Sequence, residues 1–183
     1  PLGEAVRLAG VLEASAPKAG NVHPGQSFDD MHFMHFVVAA DCIASAIANG
    51  VQNQSVGGLV LSCVETMREQ VGVNTSLGTI LLFVPLAKAR YASPESDLAT
   101  NVAEVLAGLV AEDSHLVYQA IAKCMPGGIG EKTNNDVRGE APDDLLLAMS
   151  QVAEFDAVAR QYVADFTDVF QLAKWRDEEL PRS

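Results

Sequence analysis

Three stretches of this 183-residue chain set phosphate-binding and proton-moving side chains close together. The first runs from Glu13 through Pro17-Lys18-Ala19-Gly20-Asn21-Val22 to Phe28-Asp29-Asp30-Met31. A lysine beside a glycine in a tight loop can meet a phosphate, because glycine lets the backbone approach and lysine supplies a point charge. Glu13, Asp29 and Asp30 can hold Mg2+ or take a proton. The same residues also fit a plain solvent-exposed turn leading into an N-capped helix, and spacing alone favours that reading.

The second stretch is Gly72-Val73-Asn74-Thr75-Ser76-Leu77-Gly78. Hydroxyls, an amide and free backbone N–H groups at a helix start make an anion site, with Asn74, Thr75 and Gly78 as its natural members. An ordinary N-cap by Thr75 or Ser76 uses the same geometry, so both readings can hold. The third is Asn134-Asn135-Asp136-Val137-Arg138-Gly139-Glu140-Ala141. Arg138 offers a planar fork for phosphate, Gly139 allows close approach, and Asp136 and Glu140 can serve as metal ligands or base. A surface ion pair worth about 0–1 kcal/mol is the alternative. His32 and His35, three apart on a predicted helix with Asp29 one turn earlier, have metal-pair spacing but no third histidine close by: His23 sits in a loop and His115 far along the chain. Such pairs are more often helix-surface groups. Asp113 reads as a helix cap. Asp156 falls among apolar positions of a long predicted helix, where a buried carboxylate would want a partner.

The elements that must position these groups are helical. Periodicity of 3.6 places Ala5, Leu8, Ala9 and Leu12 on one face of a first helix, 2–13. Asp29 and Asp30 are candidate N-caps for a second, 31–49, and Asn49-Gly50 stops it. Further helices are predicted over 57–70 and 79–91, from Pro94-Glu95 to about 110, and from Asp113-Ser114 to 124. The glycine- and proline-rich stretch 125–144 is long for a structureless connection, and loops of that length are often functional. Asp143 or Asp144 then caps a long amphipathic helix through Leu145, Met149, Val152, Phe155, Val158 and Tyr162 to about 173. No strand pattern, repeat or low-complexity segment is present. The expectation is an all-α, compact multi-helix single domain over 1–183, with functional loops between about seven helices.

Twelve basic and 24 acidic residues give a net charge of −12, a surface that repels nucleic acid and anionic lipid. A nucleotide substrate therefore needs local Lys or Arg, or a divalent cation. Cys42, Cys63 and Cys124 have no CxxC spacing and read as reduced thiols of a cytoplasmic protein. No signal peptide is visible, and the apolar run 79–87 is too short to span a bilayer. The apolar core leaves a homodimer face open.

In order, these pieces resemble the triphosphoribosyl-dephospho-CoA synthase family. Pro17-Lys18-Ala19-Gly20-Asn21 after Glu13 matches its Pro-Lys-Pro-Gly, Asp30-Met31 its Asp-Met, and Asn74-Thr75-x-x-Gly78 its Asn-Thr-x-x-Gly. Val137-Arg138-Gly139-Glu140-Ala141 matches Val-Arg-Gly-Glu-Ala, the most specific of the four. Each motif is weak alone; four in order over about 130 residues are stronger. Ala19 replaces a family proline, and Ser76-Leu77 stand where citrate-lyase-type members carry His-Lys. A later Ser-Pro-Gly-Gly-Ser-Ala-Asp-type segment is absent, which with the missing initiator Met leads us to expect a fragment or a divergent member.

The resemblance implies an all-helical enzyme in which ATP, with Mg2+, is attacked at its ribose C1 by the 2′-hydroxyl of dephospho-CoA. Adenine leaves, and the triphosphate stays on the transferred ribose. An oxocarbenium-like centre needs nearby carboxylates. The base would be Asp30 or Glu140, with Asp136 beside it. Lys18, Gly20, Asn21, Arg138 and Gly139 would meet the triphosphate, Asn74, Thr75 and Gly78 would orient phosphate or ribose, and Glu13, Asp29 and Asp30 would hold the metal. The competing expectations are another acceptor in a pterin or one-carbon cofactor pathway, a non-catalytic nucleotide-binding domain, and a Mg2+-dependent nucleotide hydrolase.

Overall fold

The structure is a computed structural model that describes residues 2–18, 21–124 and 141–179. These form nine helices and no strand, as an all-α fold requires: α1 (Leu2–Ser15), α2 (Phe33–Gly50), α3 (Val56–Val71), α4 (Leu77–Ala92), α5 (Leu98–Ala107), α6 (Ala111–Cys124), α7 (Leu145–Ser150), α8 (Ala157–Val163) and α9 (Thr167–Glu179). A continuous core runs from Val6 on α1 to Phe166 after α8, with Ile43, Ile47, Leu59, Val60, Val64, Ile80 and Val84 at its centre.

Helix directions follow from a few contacts. Gly10 faces Ala40 and Gly3 faces Ala44 and Ala48, so α1 and α2 are antiparallel. A Cβ on Gly10 would come within 2.9 Å of the Ala40 methyl, so only glycine permits this approach. The short turn 51–55 reverses the chain into α3, where Ser55 caps the helix through the Gly58 N–H. Gly72, at φ 78°, ends α3 in the left-handed region that glycine adopts freely. Lys88 of α4 donates to the carbonyls of Val51 (2.9 Å) and Gln54 (2.7 Å), which sets the C-terminal half of α4 beside the α2–α3 turn.

The pair α3–α6 is parallel. At its start the Asp113 carboxylate accepts from Gly57 N–H (2.7 Å) and Val110 N–H (3.2 Å), joining the first turns of both helices. At its finish Lys123 pairs with Glu65 (3.1 Å), and Arg68 donates to the Lys123 carbonyl. The backbones nearly touch at Gly57, where a Cβ would stand 2.4 Å from the Asp113 carbonyl oxygen. The loop 16–32, the loop 72–76 and the C-terminus of α6 consequently share one end of the bundle, called the loop end below. The α2–α3 turn and the end of α4 share the other.

Several sequence expectations are corrected. The long helix expected from 144 to 173 is three: Asp144 caps α7, Asp156 caps α8, and Asp165 and Phe166 lie at positive φ (49° and 60°) between α8 and α9. Asp156 is therefore an exposed N-cap instead of a buried mid-helix acid. The second helix begins at Phe33 with His32 as N-cap; Asp29 and Asp30 lie in the turn before it, because Phe28 and Met31 close a loop of their own (2.7 and 3.4 Å). α5 starts later than Pro94, where Asp97 accepts from Thr100 N–H at 2.9 Å. Asp113 lies within the first turn of α6.

Pro85 lies inside α4 and is tolerated for a specific reason. A proline has no N–H, so the Leu81 carbonyl one turn earlier loses its helical donor. The fully buried Tyr162 supplies the missing bond, its hydroxyl donating to the Leu81 oxygen at 2.8 Å. Gly78 faces Val158 as well, so α8 runs alongside α4 in the same direction. By length and composition α2, rather than 79–87, is the described helix apolar enough to cross a membrane, with mean hydropathy 1.4. Its Ala39, Ala40, Ile43 and Ile47 are buried in the core.

Candidate functional site

At the loop end, α1 delivers Glu13, and the chain turns back so that Lys18 forms an ion pair with it. Asn21 N–H closes the turn on the Lys18 carbonyl (3.1 Å), and buried Val22 anchors the loop to the core. Beyond it His23 and Gln26 bond reciprocally (3.0 and 2.9 Å), while the His23 ring accepts from Gly25 N–H (3.2 Å). Asp29 and Asp30 follow, both exposed and without a hydrogen bond or ion pair to another described residue. His32 and His35 stack with ring centroids 3.7 Å apart, and His35 Nδ1 accepts from His32 N–H (3.4 Å). They serve the helix start. Among the described residues no three His, Cys, Asp or Glu side chains converge on a metal position, so Glu13, Asp29 and Asp30 do not form a ready-made cage.

The second stretch comes to the same end from α3. Asn74 Oδ1 accepts from Leu77 N–H (3.3 Å), so Asn74 performs the capping expected of Thr75 or Ser76. Ser76 is the N-cap by position, but its hydroxyl donates to Thr75 Oγ1 (3.1 Å), and Thr75 in turn donates to the Met67 sulfur (3.5 Å). The loop is thereby tied to α3, leaving the first-turn amides of Gly78 and Thr79 at the positive end of the α4 dipole. α6 ends with Cys124 at this same end. Asp136, Arg138, Gly139 and Glu140 lie outside the described residues, as does Gly20. Where the chain is described again, Asp143 meets His115 at 2.9 Å.

The sequence did not disclose a cavity of about 230 Å3 beside the start of α4, walled by Leu77, Leu81, Ile121, Met149 and Val158, with Tyr118 and Asp156 among its lining residues. Burial raises the Tyr118 phenol above its ordinary value, so it stays a neutral hydroxyl. Four helices contribute to the lining, and no local spacing in the sequence signals such a place. Arg68 and Lys123 were also missed: two of the 12 basic residues stand together where α3 and α6 end.

Among the described residues, a lysine paired to a carboxylate, two adjacent carboxylates without a partner, an amide-rich helix start and an apolar cavity lie toward one end of an acidic protein. Such a set suits a phosphorylated ligand with an apolar portion. No curated protein and no solved structure matches the chain significantly. The model of the CitG family, ATP:dephospho-CoA triphosphoribosyl transferase, matches residues 1–181, and the chain belongs to that family.

Proposed function

We propose that this protein transfers a 5-triphosphoribosyl group from ATP to the ribose 2′-hydroxyl of dephospho-CoA with release of adenine. The observation that carries the reading is topological: the Lys18 and Asp30 loop, the Asn74–Gly78 segment and the exit from α6 share one end of the bundle. Segments about 50 residues apart in sequence lie toward one side of the molecule, which suits a nucleotide bound across them.

The roles follow from chemistry. Gly78 and Thr79 amides at the head of α4 suit a phosphate oxygen, and Asn74 holds that turn in place. Lys18 adds positive charge once the incoming phosphate competes with Glu13 for it. Asp30 is exposed and unpaired among the described residues, so its carboxylate is free to take the proton of the attacking hydroxyl. Asp29 beside it fits a hard cation, which binds through one or two carboxylates plus substrate phosphates. Mg2+ bound there would offset the triphosphate charge. Arg138, Asp136 and Glu140 enter on their motif alone, as phosphate fork and acids. Free, buried cysteines support a cytoplasmic setting.

The test is adenine release from ATP and Mg2+, followed by liquid chromatography with and without dephospho-CoA. Adenine that appears only with the acceptor supports the reading. Adenine without acceptor points to a hydrolase, and adenine only with a pterin-type alcohol points to another acceptor; either overturns it.

A further inference from the structure

The cavity beside α4 differs in kind from the polar segments around it. Its walls are built by Leu77, Leu81, Ile121, Met149 and Val158, and Tyr118 and Asp156 are the polar residues of its lining. At about 230 Å3 it is smaller than the roughly 300–1,000 Å3 that houses a whole ligand, so it accepts one compact moiety. A phosphate is the wrong moiety. The Asp156 carboxylate would repel it, and the N–H groups that open α8 are already satisfied: Val158 and Ala159 both donate to Asp156 Oδ1, at 2.7 and 2.9 Å. Asp156 Oδ2 has no bond to another described residue and remains an acceptor. A flat apolar ring carrying an N–H donor is what such walls and such an acceptor select.

Position narrows the choice. Leu77, the first residue of α4, is part of the wall, so the cavity adjoins the Asn74–Gly78 turn. Resting on the reading above, we propose that this cavity takes the adenine ring of a substrate nucleotide, with Asp156 Oδ2 accepting from the exocyclic amine. ATP and dephospho-CoA both carry that ring, so the chemistry of the pocket is common to the two. Guanine has a carbonyl at the equivalent position, which would face a carboxylate with no proton between them. The pocket therefore discriminates by repulsion as well as by attraction.

This assigns Asp156 two duties, and one substitution separates them. In Asp156→Asn the Oδ1 still caps α8, because Asn caps a helix as well as Asp does. The other atom changes from an acceptor to an NH2 donor, which now suits guanine. The 183-residue chain, wild type and Asp156→Asn, is titrated calorimetrically with ATP, GTP, dephospho-CoA and inorganic triphosphate, all with Mg2+. Wild type should prefer ATP to GTP by about tenfold or more, the worth of one charge-assisted hydrogen bond. Asp156→Asn should abolish or invert that preference with triphosphate binding unchanged. Whichever of ATP and dephospho-CoA weakens identifies whose adenine enters.

Equal wild-type affinity for ATP and GTP, or discrimination unchanged in Asp156→Asn, overturns the adenine assignment while ATP binding leaves the transferase reading standing. A wild type that binds neither ATP nor dephospho-CoA overturns both. Should the Asn variant fail to fold, Ala148→Phe fills the cavity from α7. Loss of ATP or dephospho-CoA with triphosphate binding kept then supports the assignment, and unaltered binding of both overturns it.

Discussion

Tyr162→Phe removes one oxygen atom from a fully buried side chain. The ring keeps its packing against Phe166, at a centroid distance of 5.7 Å, so no cavity opens beyond the hydroxyl itself. What is lost is the 2.8 Å bond to the Leu81 carbonyl, which Pro85 leaves without a helical donor. A buried acceptor stranded this way costs about 1–3 kcal/mol. The decisive control repeats the change in a Pro85→Ala background. There the backbone N–H of the new alanine returns to the Leu81 oxygen, and the same truncation should cost less than about 1 kcal/mol, a coupling of roughly 1–2 kcal/mol. Urea unfolding followed by far-ultraviolet circular dichroism measures all four chains; the sole tryptophan, Trp175, is exposed and a poor reporter. An equal cost of Tyr162→Phe in both backgrounds would falsify the claim that Tyr162 compensates for the proline.

Gly57→Ala drives a Cβ to within 2.4 Å of the Asp113 carbonyl oxygen and lengthens the Asp113–Gly57 bond; denaturant titration should register a loss on the order of 3–5 kcal/mol. Gly58→Ala, with nothing nearer than 3.5 Å, should be neutral or stabilise by about 0.5–1 kcal/mol, and a similar loss at both sites would refute the close-approach argument. Burial pushes the Cys63 thiol up to about 12 from 9.0, and raises the Tyr162 phenol from 10.0. The folded state thus holds protons that the unfolded chain releases, so stability is full below pH 9 and falls as pH climbs toward 12. Urea midpoints measured across that window should decline, and Cys63→Ala should lessen the decline. At neutral pH Cys63 should resist a thiol reagent until urea unfolds the chain; rapid labelling of all three cysteines in the native protein would contradict their burial. Lys18→Ala and Arg138→Ala should each lower kcat/KM for ATP about tenfold to a hundredfold, and an unchanged value would remove that residue from the phosphate site.

How much was legible depended on the range of the interaction concerned. Helices α1 to α4 and α6 follow from local periodicity, because each buries one stripe and is punctuated by residues such as Gly50 and Gly72. The break at 151–156 was invisible to periodicity: Val152, Phe155, Val158 and Tyr162 keep a helical rhythm across it, although Phe155 is 89% exposed. The informative signal was Asp156, a strong capping type that apolar neighbours disguised as a core acid. Likewise Asp29 and Asp30 have capping chemistry, but the Phe28–Met31 closure gives the cap position to His32. The loop motifs were readable by residue type. That the loop 72–76 and the end of α6 fall at one end of the bundle was not, because it hangs on Asp113 reaching Gly57 across 56 positions of sequence. The cavity needed four helices placed in space before it existed at all.

The apolarity of α2 has a consequence for how this chain is made. A newly synthesised segment with mean hydropathy 1.4 over its 18 residues is, until covered, as attractive to a bilayer or to another unfolded chain as to its own core. Its first cover, α1, precedes it in the chain, and α1 carries the glycines that let the two backbones close at Gly3 and Gly10. An α1–α2 hairpin closes across the loop 16–32, a contact local in sequence, and can form before the chain's distant contacts. The small residues on α1 therefore act in time as well as in space: they hide one side of the hazard while the ribosome is still adding α3. Bulky side chains there would first lower the yield of folded protein at birth.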